Sequence, residues 1–342
     1  MKKRILALLL FALALFSSSC GGNNGGTTSR AELFSPLFRL SVPEGKESEL
    51  LILPLAKSQG FFYTVPNENG GFLGAFVSPE RSVSGERVLE SEGGISPALI
   101  REEKKDRAAF VSGNGISHLL LKENGSQTTP YPEDFSVSLE RAVFFDDLTL
   151  VGETDELLVL CPLDLKEQYV LAQKERLPDF DGVLAVTHEK TRIWYATREN
   201  GRFSGIAFFE YGKQVPLGKE SFPFDECTRV GEHALLFTRL LEDGGALYLY
   251  RDLETDRILS VTVDEPFDGV TCDEAGTYLA GSQNGEGSGS LSVYSLEKGT
   301  LLGEYEASGR IFPSMAILGD SLLFASGRSG EAVLGTLKLS AF

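Results

Sequence analysis

The chain has 342 residues, 42% of them hydrophobic and 24% charged, which is enough apolar material for a large core with an ordinary share of charge. Its formal net charge of −17 argues against nucleic acid or anionic lipid headgroups as ligands of its general surface. Length alone suggests two domains, but a repeat along the sequence replaces that expectation by one.

Residues 1–19, MKKRILALLLFALALFSSS, join a basic start (Lys2, Lys3, Arg4) to an apolar run from Ile5 to Phe16. The run falls short of the roughly 20 residues a membrane helix needs and fits an export signal. The small residues directly before Cys20 resemble a bacterial lipobox, with Ser17 where lipoboxes usually carry Leu. The resemblance implies that residues 1–19 are a lipoprotein signal peptide and that Cys20 is the lipidated first residue of the mature protein. The alternative is an ordinary secretory signal with an incidental cysteine. Residues 20–32 then form a polar tether, GGNNGGTTSR after the cysteine, with nothing to bury. No Asp follows Cys20, so the inner-membrane retention signal known from enteric bacteria is absent and the outer membrane of a bacterial envelope is expected. Cleavage removes three positive charges and no negative one, taking the formal charge from −17 to about −20. The acyl chains must therefore supply the membrane anchor.

From residue 33 the chain repeats. The stretch 270–313 shows the unit best: VTCD, TYLAGS, SLSVYSL and TLLGEYE are four short apolar runs separated by turn signals. With the second strand as ruler, FFYTV begins at Phe61, AAFVS at Ala108, LTLVG at Leu148, IWYAT at Ile193, LLFTR at Leu235, YLAGS at Tyr278 and LLFAS at Leu322. Successive starts lie 40 to 47 residues apart, the length of one propeller blade. After LLFAS only one strand remains, EAVLGTLKLS, whereas LFSPLFRLSV at 33–42 has no sheet of its own. The expected fold is an all-β, seven-bladed β-propeller of four-stranded antiparallel blades over residues 33–342. The N-terminal strand completes the last blade and closes the ring.

LYLYRDLETDRILSVTV from Leu247 and SLSVYSLEKGTLLGEY from Ser290 resemble the third-to-fourth strand hairpin of WD40 repeats. Tyr250, Arg251 and Tyr294, Ser295 stand where that family carries Trp-Asp, and its Gly-His dipeptide is absent. CDEAGTYLA at 272–280 resembles the Asp-x-x-Gly turn of bacterial YVTN-type propellers. These resemblances imply the fold and say little about function.

Reactive motifs are scarce. The sequence has no Gly-x-Ser-x-Gly elbow, no His-Glu-x-x-His and no phosphate-binding loop, and GEGSGS at 285–290 reads as a hairpin turn. Trp194 is the single tryptophan, against one docking tryptophan in most blades of quinone-type propellers, and Asp273 to Gly276 is spaced one residue too far for an Asp-box. His118, His188 and His233 read as surface histidines, the latter two near first-to-second turns of adjacent blades, too few for a zinc site. Cys161, Cys227 and Cys272 read as small buried apolar residues; if any pair oxidises, it is Cys227 with Cys272.

One constellation recurs. DFDG at 179–182, PFDE at 223–226 and PFDG at 266–269 place Asp181, Asp225 and Asp268 at the same step of consecutive blades, and EDFS at 133–136 adds Asp134. In a propeller these connections gather at the channel mouth, so the carboxylates are expected to form an arc, joined by Glu153, Asp155, Glu199, Glu242 and Asp243. Either the arc binds a cationic partner or Ca²⁺, or each Asp starts a turn while Phe180, Phe224 and Phe267 pack between blades. The expected function is that of a non-enzymatic, lipid-anchored, monomeric scaffold whose acidic face takes a protein partner with a basic patch. The alternative is a metal-dependent propeller hydrolase or lactonase using the channel-mouth carboxylates.

Overall fold

A computed structural model describes residues 34–342 except 56–59, 67–71, 78–82, 90–99, 103–105, 113–114, 121–124, 131–137, 147, 188–190, 214 and 329. The signal segment, Cys20, the tether, Asp134 and His188 lie outside the described residues. No helix among them is long and apolar enough to cross a membrane.

The described chain opens with β1 (Phe34–Val42). Six four-stranded antiparallel meanders follow in chain order. The first holds β2 (Leu51–Leu55), β3 (Gly60–Pro66), β4 (Phe72–Val77) and β5 (Val83–Leu89). The second holds β6 (Ile100–Glu102), β7 (Asp106–Ser112), β8 (Gly115–Leu120) and β9 (Gly125–Pro130). Next come β10 (Ser138–Asp146), β11 (Thr149–Glu153), β12 (Leu157–Pro162) and β13 (Tyr169–Gln173). The fourth is β14 (Phe180–Thr187), β15 (Arg192–Glu199), β16 (Arg202–Glu210) and β17 (Pro216–Phe224). The fifth is β18 (Glu226–Val230), β19 (Ala234–Leu240), β20 (Ala246–Asp252) and β21 (Ile258–Val263). The sixth is β22 (Gly269–Cys272), β23 (Tyr278–Asn284), β24 (Gly289–Ser295) and β25 (Thr300–Ala307). Three strands remain: β26 (Arg310–Leu318), β27 (Ser321–Arg328) and β28 (Gly330–Lys338). β1 pairs antiparallel with β28, Phe34 opposite Leu337 and Val42 opposite Gly330, so these three also belong to a four-stranded sheet.

The alternation that marks each strand in sequence is explained by what covers the sheets. A two-faced sheet must bury both faces, and here each buries them against its neighbours. Trp194, Ala196, Phe224, Leu235 and Phe237 form one core between the fourth and fifth meanders. Tyr248, Tyr250, Val261, Cys272 and Leu279 form the next, between the fifth and sixth. Leu40, Val42, Ile52, Tyr63, Phe312, Leu323 and Leu334 form another between the sheet of β26–β28 and that of β2–β5. First strands also touch across sheets: β26 packs on β22 and on β2, β2 on β6, and β10 on β14. The Ile52 N–H donates to Ser314 Oγ at 2.8 Å across the β2–β26 contact. The molecule is an all-β propeller of four-stranded antiparallel blades.

Each meander therefore has two ends. At the upper end first strands begin and second strands turn into third ones. At the lower end lie the first-to-second and third-to-fourth turns.

Candidate interaction face

The Phe-Asp steps sit at the upper end, and both residues of each have a physical task. Phe224, the last residue of β17, stacks on its cross-strand partner Phe203 in the same blade at 4.6 Å and 10°, and Phe267 on Tyr248 of the preceding blade at 5.2 Å and 18°. The Phe267 N–H also donates to the Tyr248 hydroxyl at 2.7 Å. Phe180 instead faces Tyr195 of its own blade at 5.3 Å, with Lys174 over its ring. Such pairs contribute about 0.5–1.5 kcal/mol beyond the area they bury.

The carboxylates latch each first strand to the end of its second strand. Asp225 accepts the Leu240 N–H at 2.7 Å, while its own N–H donates to Thr238 O at 2.8 Å. Asp268 repeats the arrangement with the Asn284 N–H at 2.8 Å and Ser282 O at 2.8 Å. It also accepts the Asn284 side-chain amide at 2.9 Å. That amide reaches on to the next blade, donating to Ile311 O at 3.0 Å and accepting the Ile311 N–H at 2.7 Å. Asp181 differs because the register shifts between Phe180 and Val183, and it takes the Arg198 guanidinium at 2.7 Å. Arg198 in turn lies over the Phe203 ring at 4.3 Å.

The remaining upper-end acids divide by partner. Glu153 accepts the Val183 N–H at 2.8 Å and pairs with Lys174 at 3.0 Å. Glu199 shares Lys219 with Asp179, at 2.9 and 3.1 Å, and hydrogen bonds from Lys219 to these two carboxylates raise its pKa. Asp243 caps its own turn through the Gly245 N–H. Glu226, Glu242, Asp264 and Glu265 form no ion pair among the described residues. Because Asp225 and Asp268 accept from neutral N–H groups, their charge is not cancelled by the latch. Among the described residues no group of three or more His, Cys, Asp or Glu is arranged to hold a metal ion.

Sequence reasoning missed the lower-end junctions between the fifth and sixth blades. Tyr250, at the Trp-like position of the hairpin, is 1% exposed and donates to Glu274 O at 2.5 Å. Gly276, at φ +66°, closes the turn beneath it, where a Cβ would lie 2.7 Å from the Tyr250 ring. Asp273 accepts the Thr277 and Tyr278 N–H groups at 2.7 and 2.6 Å, making the Asp-x-x-Gly turn. Arg251 is 4% exposed and bonds Glu220 (2.6 Å) and Asp256 (2.8 Å). His233 Nδ1 lies 3.4 Å from Glu274 Oε1, and His118 lies within β8 opposite Gln127. Cys161, Cys227 and Cys272 are free thiols, and burial pushes the pKa of each up, to about 11 at Cys161.

No family model matches the chain, and no curated protein matches it either. Among solved structures, it superposes on a Mycobacterium tuberculosis puromycin-hydrolyzing peptidase with a TM-score of 0.59 at 13% identity, over 88% of this chain and 54% of that one. The chain thus spans about half the length of that peptidase. A chain of the Mitotic Checkpoint Complex matches with a TM-score of 0.53 at 12% identity, over 93% of this chain and 96% of that one. At these identities the likeness concerns the fold alone, a β-propeller.

Proposed function

We propose that the chain is a non-enzymatic, lipid-anchored protein of a bacterial envelope. In this reading seven blades form a ring closed by β1, acylated Cys20 holds it at the outer membrane, and the upper end binds a protein partner bearing a basic patch. The observation that carries the reading is the fixing of the acidic residues. Asp181, Asp225 and Asp268 are held by hydrogen bonds within their own blades, which gives a pre-ordered negative surface without the entropy cost of arranging it on binding. A Ca²⁺ ion would compete with those same hydrogen bonds.

The test is capture from detergent-solubilised envelopes by the mature chain, beside an Asp225→Asn, Glu242→Gln, Glu265→Gln, Asp268→Asn variant shown to be folded. Loss of a partner that the wild type retains up to moderate salt is the expected result. Equal capture by both proteins removes the acidic face from the reading. Metal-dependent turnover of a lactone or glycoside panel replaces it by the hydrolase alternative. Intact mass of the membrane-extracted chain, with and without Cys20→Ser, reads the acylation separately.

A further inference from the structure

We infer that the lower end of the propeller is seated on the lipid bilayer through apolar corners of successive blades, a reading that rests on acylation of Cys20. Nine large hydrophobic side chains are exposed among the described residues, and eight of them lie at the lower end. Tyr169 and Val170 open β13, Leu217 is second in β17, Ile258 opens β21 and Leu301 is second in β25. These are the lower corners of the outer strands in four consecutive blades. Tyr211 and Val215 lie in the turn before β17, and Leu148 in the turn after β10. Leu240 alone, at the end of β19, belongs to the upper end.

The next outer strand in the series is β1. Phe34 pairs with Leu337 near the end of β28, so β1 also begins at the lower end and the chain from Cys20 enters the fold there. The 14 residue steps from Cys20 to Phe34 span at most roughly 50 Å. The anchor therefore attaches at the end of the molecule that carries the exposed apolar groups.

Scattered apolar residues on a surface require no explanation, but their segregation to one end does. The lower end interleaves both signs, as in Lys166–Asp164, Lys213–Glu210 and Lys338–Asp320. Tyrosine with Leu, Ile and Val suits the boundary between headgroups and acyl chains, where an apolar ring is buried and its hydroxyl stays wet. Seated in this way, the propeller turns its acidic end away from the membrane, where a partner can reach it.

The test uses the full mature chain, acylated at Cys20, in vesicles of phosphatidylcholine or its dibrominated form. Trp194 is 2% exposed and gives a constant background. The inference expects the added emission of a Tyr211→Trp variant to fall at least twofold in brominated vesicles and that of a Leu240→Trp variant to be unchanged. Chains that float with vesicles but show equal quenching at both positions, or none at either, overturn the seating and leave the anchor standing; the second result assigns the corners to a protein. Chains that fail to float overturn the anchor and the seating together.

Discussion

Asn284→Ala tests whether the upper rim is held by side chains that cross between blades. The substitution removes three hydrogen bonds: from the amide to Asp268 Oδ2 and Ile311 O, and from the Ile311 N–H to the amide oxygen. Ile311 is 1% exposed, so its N–H and C=O lose their side-chain partner close to the core. An unsatisfied buried group costs about 1–3 kcal/mol, and water at the rim brings each towards the lower figure, for about 2–3 kcal/mol in all. For a domain of this size that lowers Tm by roughly 3–5 °C in calorimetry. Asn284→Asp sharpens the test. Its carboxylate still accepts from Ile311 but cannot donate to Ile311 O, and it sits beside Asp268. Both effects raise its pKa in the folded state above the unfolded value. The penalty is therefore full at neutral pH and is lifted as pH falls through the raised pKa, when the protonated acid can donate again. A Tm within about 1 °C of wild type for Asn284→Ala, or an Asn284→Asp variant whose stability follows pH like the wild type, refutes the cross-blade tie.

Asp252 supplies a pH prediction. Burial would raise its pKa, but the Thr255 hydroxyl and the Glu254 and Thr255 N–H groups outweigh this and lower it. Its stabilisation is present above the unfolded carboxylate pKa and is lost as pH falls through the folded value, so Asp252→Asn should flatten the acid limb of the denaturation midpoint against pH. Two tyrosines should part company in urea titrations. Tyr250→Phe deletes the bond to Glu274 O and costs about 1 kcal/mol. Tyr195→Phe removes a buried hydroxyl that has no hydrogen-bond partner among the described residues and leaves stability unchanged or higher.

Much of this molecule is local chemistry, and that part can be read directly. The runs VTCD, TYLAGS, SLSVYSL and TLLGEYE correspond to β22, β23, β24 and β25, because alternation and turn residues act over a few positions. The Phe-Asp steps are also legible as positions. What they do is not: Asp225 bonds a residue 15 further on, and Asp181 a residue 17 further on through a side chain, because a bulge shifts the register there. Neither partner carries a mark in sequence.

The amino-acid order alone determined where strands form and which residues stand at each turn, since those follow from period-two burial and backbone preference. Only the assembled sheets decided that Asn284 bridges two blades, that Tyr250 caps a neighbour's turn and that eight exposed apolar side chains gather at the end where β1 begins. Such groupings depend on which ends of separate strands point the same way. That is a property of packing between residues far apart in the chain.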